Sequence, residues 1–261
     1  MHAAGYAGER VNILNKLKLM PAIIFPALLL ALTTHVCLAG EDLITTARDR
    51  NGKAIFYILN YQNLSPRYAI ILFPGGYGNV DPHMEGGKLV YNFGKNFLLR
   101  SRKFIVDDEF VTATTNSSDV AEHVQAIIDD LKRRFPDVQI YLMGTSKGTI
   151  STIALAGYLS NKIAGEIHTS SVASIASLDA TKYMNRHLVV HHQFDTCSVT
   201  PLHAAKASHQ KYGTDLIIMT GGEDEGDPCN AFSHHGFNGI ESETINAIKK
   251  WIKRGEHKGS N

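Results

Sequence analysis

A chain of 261 residues with 44% apolar and 20% charged residues suits one α/β domain, or two small ones, with a sizeable core. Its formal charge of +1 gives no electrostatic case for nucleic acid, and no run of Lys and Arg interleaved with aromatics supplies one. From the N-terminus, Lys16 and Lys18 precede an apolar stretch over 19–32, followed by Cys37-Leu38-Ala39 and the polar Gly40-Glu41-Asp42. Basic flank, short apolar core and small residues at a polar junction predict a signal peptide over 1–39, and hence export to the periplasm or medium. The apolar stretch is shorter than the roughly 20 residues of a membrane span, so no stable span is expected in the mature form.

Residues 41–255 contain no internal repeat or low-complexity linker and read as a single domain, with 256–261 as a tail. Strands are predicted over 53–59 and 68–73, the second ending in Pro74-Gly75-Gly76-Tyr77-Gly78. A β-rich run over 109–114 gives way to Asn116-Ser117-Ser118-Asp119. Val120, Val124, Ile127, Ile128, Leu131 and Phe135 then recur at helical spacing, with Ser118 or Asp119 as the expected cap. Next come a strand over 138–143, the turn Gly144-Thr145-Ser146-Lys147-Gly148 and an apolar helix. Strands follow at 165–169, 187–194 and 216–219, with a helix over 201–212 between the last two. A closing helix over 240–252 turns Ile245, Ile248, Trp251 and Ile252 inward. Strands alternating with helices imply a mostly parallel central sheet flanked by helices on both faces, with ligands at the carboxyl ends of its strands. Only 170–186 separate two successive core strands, too few for a large cap, so an exposed cleft is expected.

The turn around Ser146 carries the chemistry. Strand, G-x-S-x-G and helix form a nucleophile elbow, in which the glycines let strand and helix pass closely and the turn lifts the hydroxyl above the sheet. The pentapeptide alone recurs by chance; its context gives it weight. A serine nucleophile needs a base, a group orienting that base and donors for the oxyanion. Thirteen histidines are available, so position must choose. His83 and His123 come too early, and His191 and His192 precede the acid. His234-His235-Gly236-Phe237 lies between the last core strand and the final helix, where the base belongs. His235 is preferred over His234 because Gly236 permits the chain to turn. Asp195, directly after the strand over 187–194, is the expected acid. Asp179 lacks a clear preceding strand, and Asp224 and Asp227 sit in a Gly-rich acidic loop. The backbone N–H of Lys147 and those of Gly76, or failing that Tyr77, are the expected oxyanion donors, the Lys147 side chain being surface.

With Cys37 removed in export, Cys197 and Cys229 remain, and two cysteines in an exported protein suggest a disulfide. It would tie the acid loop to the base loop and stabilise by about 3–4 kcal/mol on the chain-entropy model. Neither H-E-x-x-H nor paired C-x-x-C is present, and the phosphate-loop spacing fails. No metal and no cofactor are expected; a zinc site from His191-His192 with His234-His235 accounts for the layout less well than the elbow does.

These residues resemble the α/β-hydrolase superfamily over about 53–252. The runs His191-His192-Gln193-Phe194-Asp195-Thr196-Cys197 and His234-His235-Gly236-Phe237-Asn238-Gly239 look like a group of exported bacterial hydrolases, and the His-Gly-Phe step resembles dienelactone hydrolases. The resemblance implies Ser146 as nucleophile, Asp195 as acid and His235 as base. Pro74 stands where the common oxyanion loop has His. The expected function is a carboxylic ester hydrolase acting on a small-molecule ester through an acyl-serine. A peptidase of the same fold and a non-catalytic binding protein are the alternatives.

Overall fold

Along residues 68–73 the side chains divide strictly by parity: Tyr68, Ile70 and Leu72 pack into one apolar cluster, and Ala69, Ile71 and Phe73 into another. A strand covered on both faces must be apolar throughout, which is why this run carries no polar alternation. The structure, a computed structural model, describes residues 42–255. The expected signal peptide over 1–39 and the tail at 256–261 lie outside the described residues.

In chain order the elements are β1 (Asp42–Arg48), β2 (Ala54–Asn60), β3 (Tyr68–Phe73), β4 (His83–Glu85), β5 (Lys88–Val90), α1 (Phe97–Ile105), β6 (Phe110–Thr114), α2 (Ala121–Arg134), β7 (Gln139–Thr145), α3 (Thr149–Leu159), β8 (Gly165–Thr169), β9 (Arg186–His192), α4 (Leu202–Tyr212), β10 (Asp215–Met219) and α5 (Glu241–Arg254). Eight strands form one sheet in the order β1-β2-β6-β3-β7-β8-β9-β10. β1–β2 and β2–β6 pair antiparallel, and every pair from β6 to β10 is parallel. Helices α1 and α5 cover one face; α2, α3 and α4 cover the other. The mostly parallel sheet with helices on both faces is the architecture expected from the sequence. Between β8 and β9 the chain makes two short 3-10 turns, Ala173–Ser177 and Ala180–Lys182, in place of a cap.

Five local features differ from the sequence expectations. β1, the β4–β5 hairpin and α1 are additional elements. α1 escapes a periodicity search because its apolar residues crowd the first turn and Arg102 is buried within it, bonded to Asp42 and the Tyr91 hydroxyl. Neither Ser118 nor Asp119 caps α2. Its cap position is Val120, and Ser118 Oγ instead accepts from the Val120 N–H. The strand expected to reach residue 194 ends at His192, because the Asp195 N–H turns back to the His192 carbonyl and Phe194 swings into solvent.

Helix α2 is fixed to the sheet by a polar contact in the apolar layer. Buried Asp130 accepts from the Tyr57 hydroxyl of β2 at 2.5 Å and from Arg134 Nε at 2.9 Å. Burial and the neighbouring Asp130 carboxylate push the Tyr57 hydroxyl far above its ordinary value, so it remains a donor at any physiological pH. Removing that donor leaves a buried carboxylate oxygen underpaired. Tyr57→Phe should therefore cost about 1–3 kcal/mol in urea denaturation without changing the m-value.

Candidate active site

Directly after β7 stands a serine whose backbone is held in the left-handed region. Ser146 has φ 51°, costly for a residue with a Cβ and sustained only where surroundings enforce it. The surroundings here are glycines. A Cβ on Gly148 would sit 2.1 Å from the Phe73 carbonyl oxygen, and one on Gly144 would sit 2.6 Å from the Gly148 carbonyl oxygen. The single 3-10 turn Ser146–Gly148 leads directly into α3, with Thr149 Oγ1 donating to the Ser146 carbonyl at 2.6 Å. Ser146 is half-buried and Lys147 exposed.

The loop after β3 passes against the serine. A Cβ on Gly75 would lie 2.8 Å from Ser146 Cβ, so Gly75, unremarked in the sequence, is the residue that permits the approach. Gly76 follows at φ 67°, and the Gly78 N–H closes the turn onto the Gly75 carbonyl at 3.2 Å. The N–H groups of Gly76 and Tyr77 enter no hydrogen bond among the described residues, and the Tyr77 side chain stands in solvent.

The acid and base loops meet each other beyond β9 and β10. Asp195 Oδ2 lies 3.1 Å from His235 Nδ1, and both side chains are buried. Thr200 completes a triangle, its Oγ1 3.1 Å from Asp195 Oδ2 and 3.0 Å from His235 Nδ1. The Cys197 N–H donates to Asp195 Oδ1 at 2.9 Å. His235 is thus held through Nδ1, which directs Nε2 to other partners. Among the described residues there is no hydrogen bond between Ser146 and His235, a link that in unliganded sites is often long and tightens on substrate binding.

No protein-family profile matches the chain, and no curated protein does. Solved structures do match. Est1E from Butyrivibrio proteoclasticus superposes with a TM-score of 0.57 at 16% identity, over 82% of this chain and 99% of that one. XC6422 from Xanthomonas campestris, described as an α/β serine hydrolase without lid, gives 0.53 at 12%, over 80% and 95%. The esterase domain of a Rhodothermus marinus protein gives 0.55 at 10%, over 82% and 98%. The chain has the α/β-hydrolase fold.

Within that fold the two neighbouring histidines part company. His234 stacks on His192 with 4.3 Å between ring centroids, and its Nδ1 faces Asp224 at 3.7 Å, away from Asp195. The glycine after His235 acts differently from the sequence argument. Gly236 is not in the left-handed region; a Cβ there would lie 2.0 Å from the Ala231 carbonyl oxygen, and Phe237 takes the positive φ instead. Asp179 caps a 3-10 turn and pairs with Lys182, while Asp227 accepts from the Cys229 N–H in an exposed turn. Neither reaches His235.

Further supports were invisible in the sequence. Ser170 Oγ donates to the His235 carbonyl at 2.7 Å, and Arg100, on the unexpected α1, donates to the Gly236 carbonyl at 2.6 Å. Cys197 and Cys229 are joined, with 4.7 Å between their Cα atoms. The acid loop is therefore tied covalently to the chain that leads into His235. Cys197 also faces Asp195 and His235, but its sulfur is bonded to Cys229, so the trio offers no thiolate to a metal.

Burial alone would raise the Asp195 carboxyl. The contacts from His191 and His235 and the Cys197 N–H outweigh it and hold the group well below its usual range. His191 Nε2 stands 3.4 Å from Asp195 Oδ2, an electrostatic contact without hydrogen-bond alignment. The folded value lies below the unfolded one of about 3.9, so the stability Asp195 contributes is full above that pH and is lost as pH falls through the folded value. Asp195→Asn cannot lose it by titration. Below about pH 4 its unfolding free energy should fall less steeply with pH than the wild type's, in urea titrations at stepped pH.

Proposed function

We propose that the protein is an exported serine hydrolase that cleaves small carboxylic esters through an acyl-serine intermediate. Two observations support this reading: the strained serine turn that follows β7, and the buried Asp195–His235 hydrogen bond between the loops that follow β9 and β10 of the same parallel sheet. In this reading His235 Nε2 removes the Ser146 Oγ proton as the oxygen attacks the ester carbonyl carbon. The N–H of Lys147 and those of Gly76 or Tyr77 donate to the oxyanion. The tetrahedral intermediate collapses, His235 returns the proton to the departing alkoxide, and the alcohol leaves. Water then attacks the acyl-serine with His235 as base, releasing the carboxylic acid and restoring the hydroxyl. Asp195 stays ionised and holds the imidazole tautomer with Nδ1–H toward itself.

Esters are favoured because their leaving groups demand least of the acid, and the open surface without a cap accommodates small or chain-end substrates. Export is supported by the disulfide, since such bonds persist in oxidising compartments. Among the described residues no helix is long and apolar enough to cross a membrane.

A fluorophosphonate should add one equivalent to the wild type by intact mass and none to Ser146→Ala. His235→Ala should lose labelling and lower kcat/KM for short p-nitrophenyl esters by at least about 1000-fold, whereas His234→Ala should keep both within about tenfold. A folded, oxidised wild type that does not label would favour a binding protein; turnover of aminoacyl anilides without ester turnover would favour a peptidase. Gly75→Ala, which forces a methyl group against Ser146 and the Thr145 carbonyl, should cut turnover at least about tenfold and lower the thermal midpoint of unfolding.

A further inference from the structure

A second group of chemically competent side chains lies inside the sheet and takes no part in the proposed hydrolysis. Glu166 and His168 project from the same face of β8, and His187 lies on β9 directly across the ladder from Glu166. Glu166 and His168 are wholly buried, and His187 nearly so. His168 Nε2 is 3.5 Å from His187 Nδ1 and 3.9 Å from Glu166 Oε2, and His187 Nδ1 is 4.0 Å from the same oxygen. One carboxylate oxygen and two imidazole nitrogens thus converge on a single point.

Satisfied polar networks leave no buried atom without a partner, and this one does. Asn185 Nδ2 donates to Glu166 Oε1, but Glu166 Oε2, the oxygen facing the two rings, has no hydrogen-bond partner. An orphaned carboxylate oxygen in an apolar layer is costly and calls for a ligand. The tautomer of His168 is also set. The Thr152 hydroxyl donates its one proton to the Thr149 carbonyl, so at 2.8 Å it accepts from His168 Nδ1–H. The Nε2 lone pair is then turned toward Glu166 and His187. A histidine pinned through its other nitrogen is the arrangement found around metal ligands.

We propose that Glu166, His168 and His187 hold a divalent cation, zinc before the other first-row metals, as a structural site beneath α3. The point equidistant from the three atoms lies about 2.2 Å from each, against zinc bonds of about 2.0–2.2 Å to imidazole nitrogen and carboxylate oxygen. The two rings lie within 5° of parallel with 5.8 Å between centroids, and the hydrogen bond that His168 Nε2 and His187 Nδ1 share at 3.5 Å is the contact the ion would replace as the rings turn to aim at it. Two nitrogens and one oxygen suit zinc, cobalt or nickel rather than magnesium or calcium. A water fills the fourth position. The ion ties β8 and β9 to α3 through Thr152, and Thr149, one turn back, holds the Ser146 carbonyl. Its role is to anchor the helix behind the serine turn.

Cobalt(II) is the probe. Untagged protein is unfolded without reductant and refolded with cobalt or with EDTA, because the buried site exchanges slowly in the folded state. One cobalt per chain after desalting, visible bands of tetrahedral cobalt and a higher unfolding midpoint than the EDTA sample are expected. Glu166→Gln should lose the bands, His235→Ala should keep them, and Thr152→Val should weaken cobalt affinity about 10–100-fold. Wild type that retains no cobalt and unfolds at the same midpoint in both samples would show a proton-filled hydrogen-bonded cluster and overturn the proposal. Bands that survive Glu166→Gln and vanish in His235→Ala would place the metal at the other site and overturn it equally. If Glu166→Gln does not fold, unchanged affinity in Thr152→Val refutes the assignment.

Discussion

Backbone lies against backbone where β7 turns into α3. There is no room for a single methyl group between Gly148 and the Phe73 carbonyl, nor between Gly144 and the Gly148 carbonyl. This contact forces Ser146 into a left-handed conformation and sets the direction of α3. Because β3 supplies the carbonyl, the end of β3 and the loop beyond it are brought to the serine by the same contact. The position of Gly75 against Ser146 follows from that closeness rather than from any separate device. A side chain at any of these three glycines would separate the nucleophile from the loop that faces it.

The acid and base of the proposed mechanism come from strands further along the sheet. β9 delivers Asp195 just beyond its last ladder pair, and the long loop after β10 returns His235 to it. Loops are the least constrained parts of such a fold, and here they are restrained several times over. The disulfide, Thr200, Ser170 and Arg100 each hold one side of the acid–base pair. The acid–base geometry is therefore a product of four elements that are distant in sequence, among them α1 on the opposite face from α3.

Polar burial follows two different logics in this chain. Asp195 is surrounded by donors and is kept ionised; Glu166 is hydrogen-bonded at Oε1 alone, and its Oε2 has no partner. Both carboxylates lie near histidines, yet one stands in the loop after β9 and the other within β8. The latter sits under α3, where Thr152 and Thr149 connect it mechanically to the serine turn.

The unbroken apolar run of β3, helical spacing in α2 and α5, and the alternation of strands with helices determined the sheet and its covering, because local sequence decides whether an element is covered on one face or on both. Gly144-Thr145-Ser146-Lys147-Gly148 was equally legible: small residues at fixed offsets announce a close crossing wherever it occurs. What linear spacing does not contain is contact between distant segments. The pairing of His235 with Asp195 while His234 turns to Asp224, the hydroxyl of Thr200 between acid and base, and the reach of Arg100 to the Gly236 carbonyl were decided only when the loops were placed in three dimensions. The same holds for Glu166, His168 and His187. They read locally as polar interruptions of two strands, and only the parallel register of β8 with β9 puts them in one place.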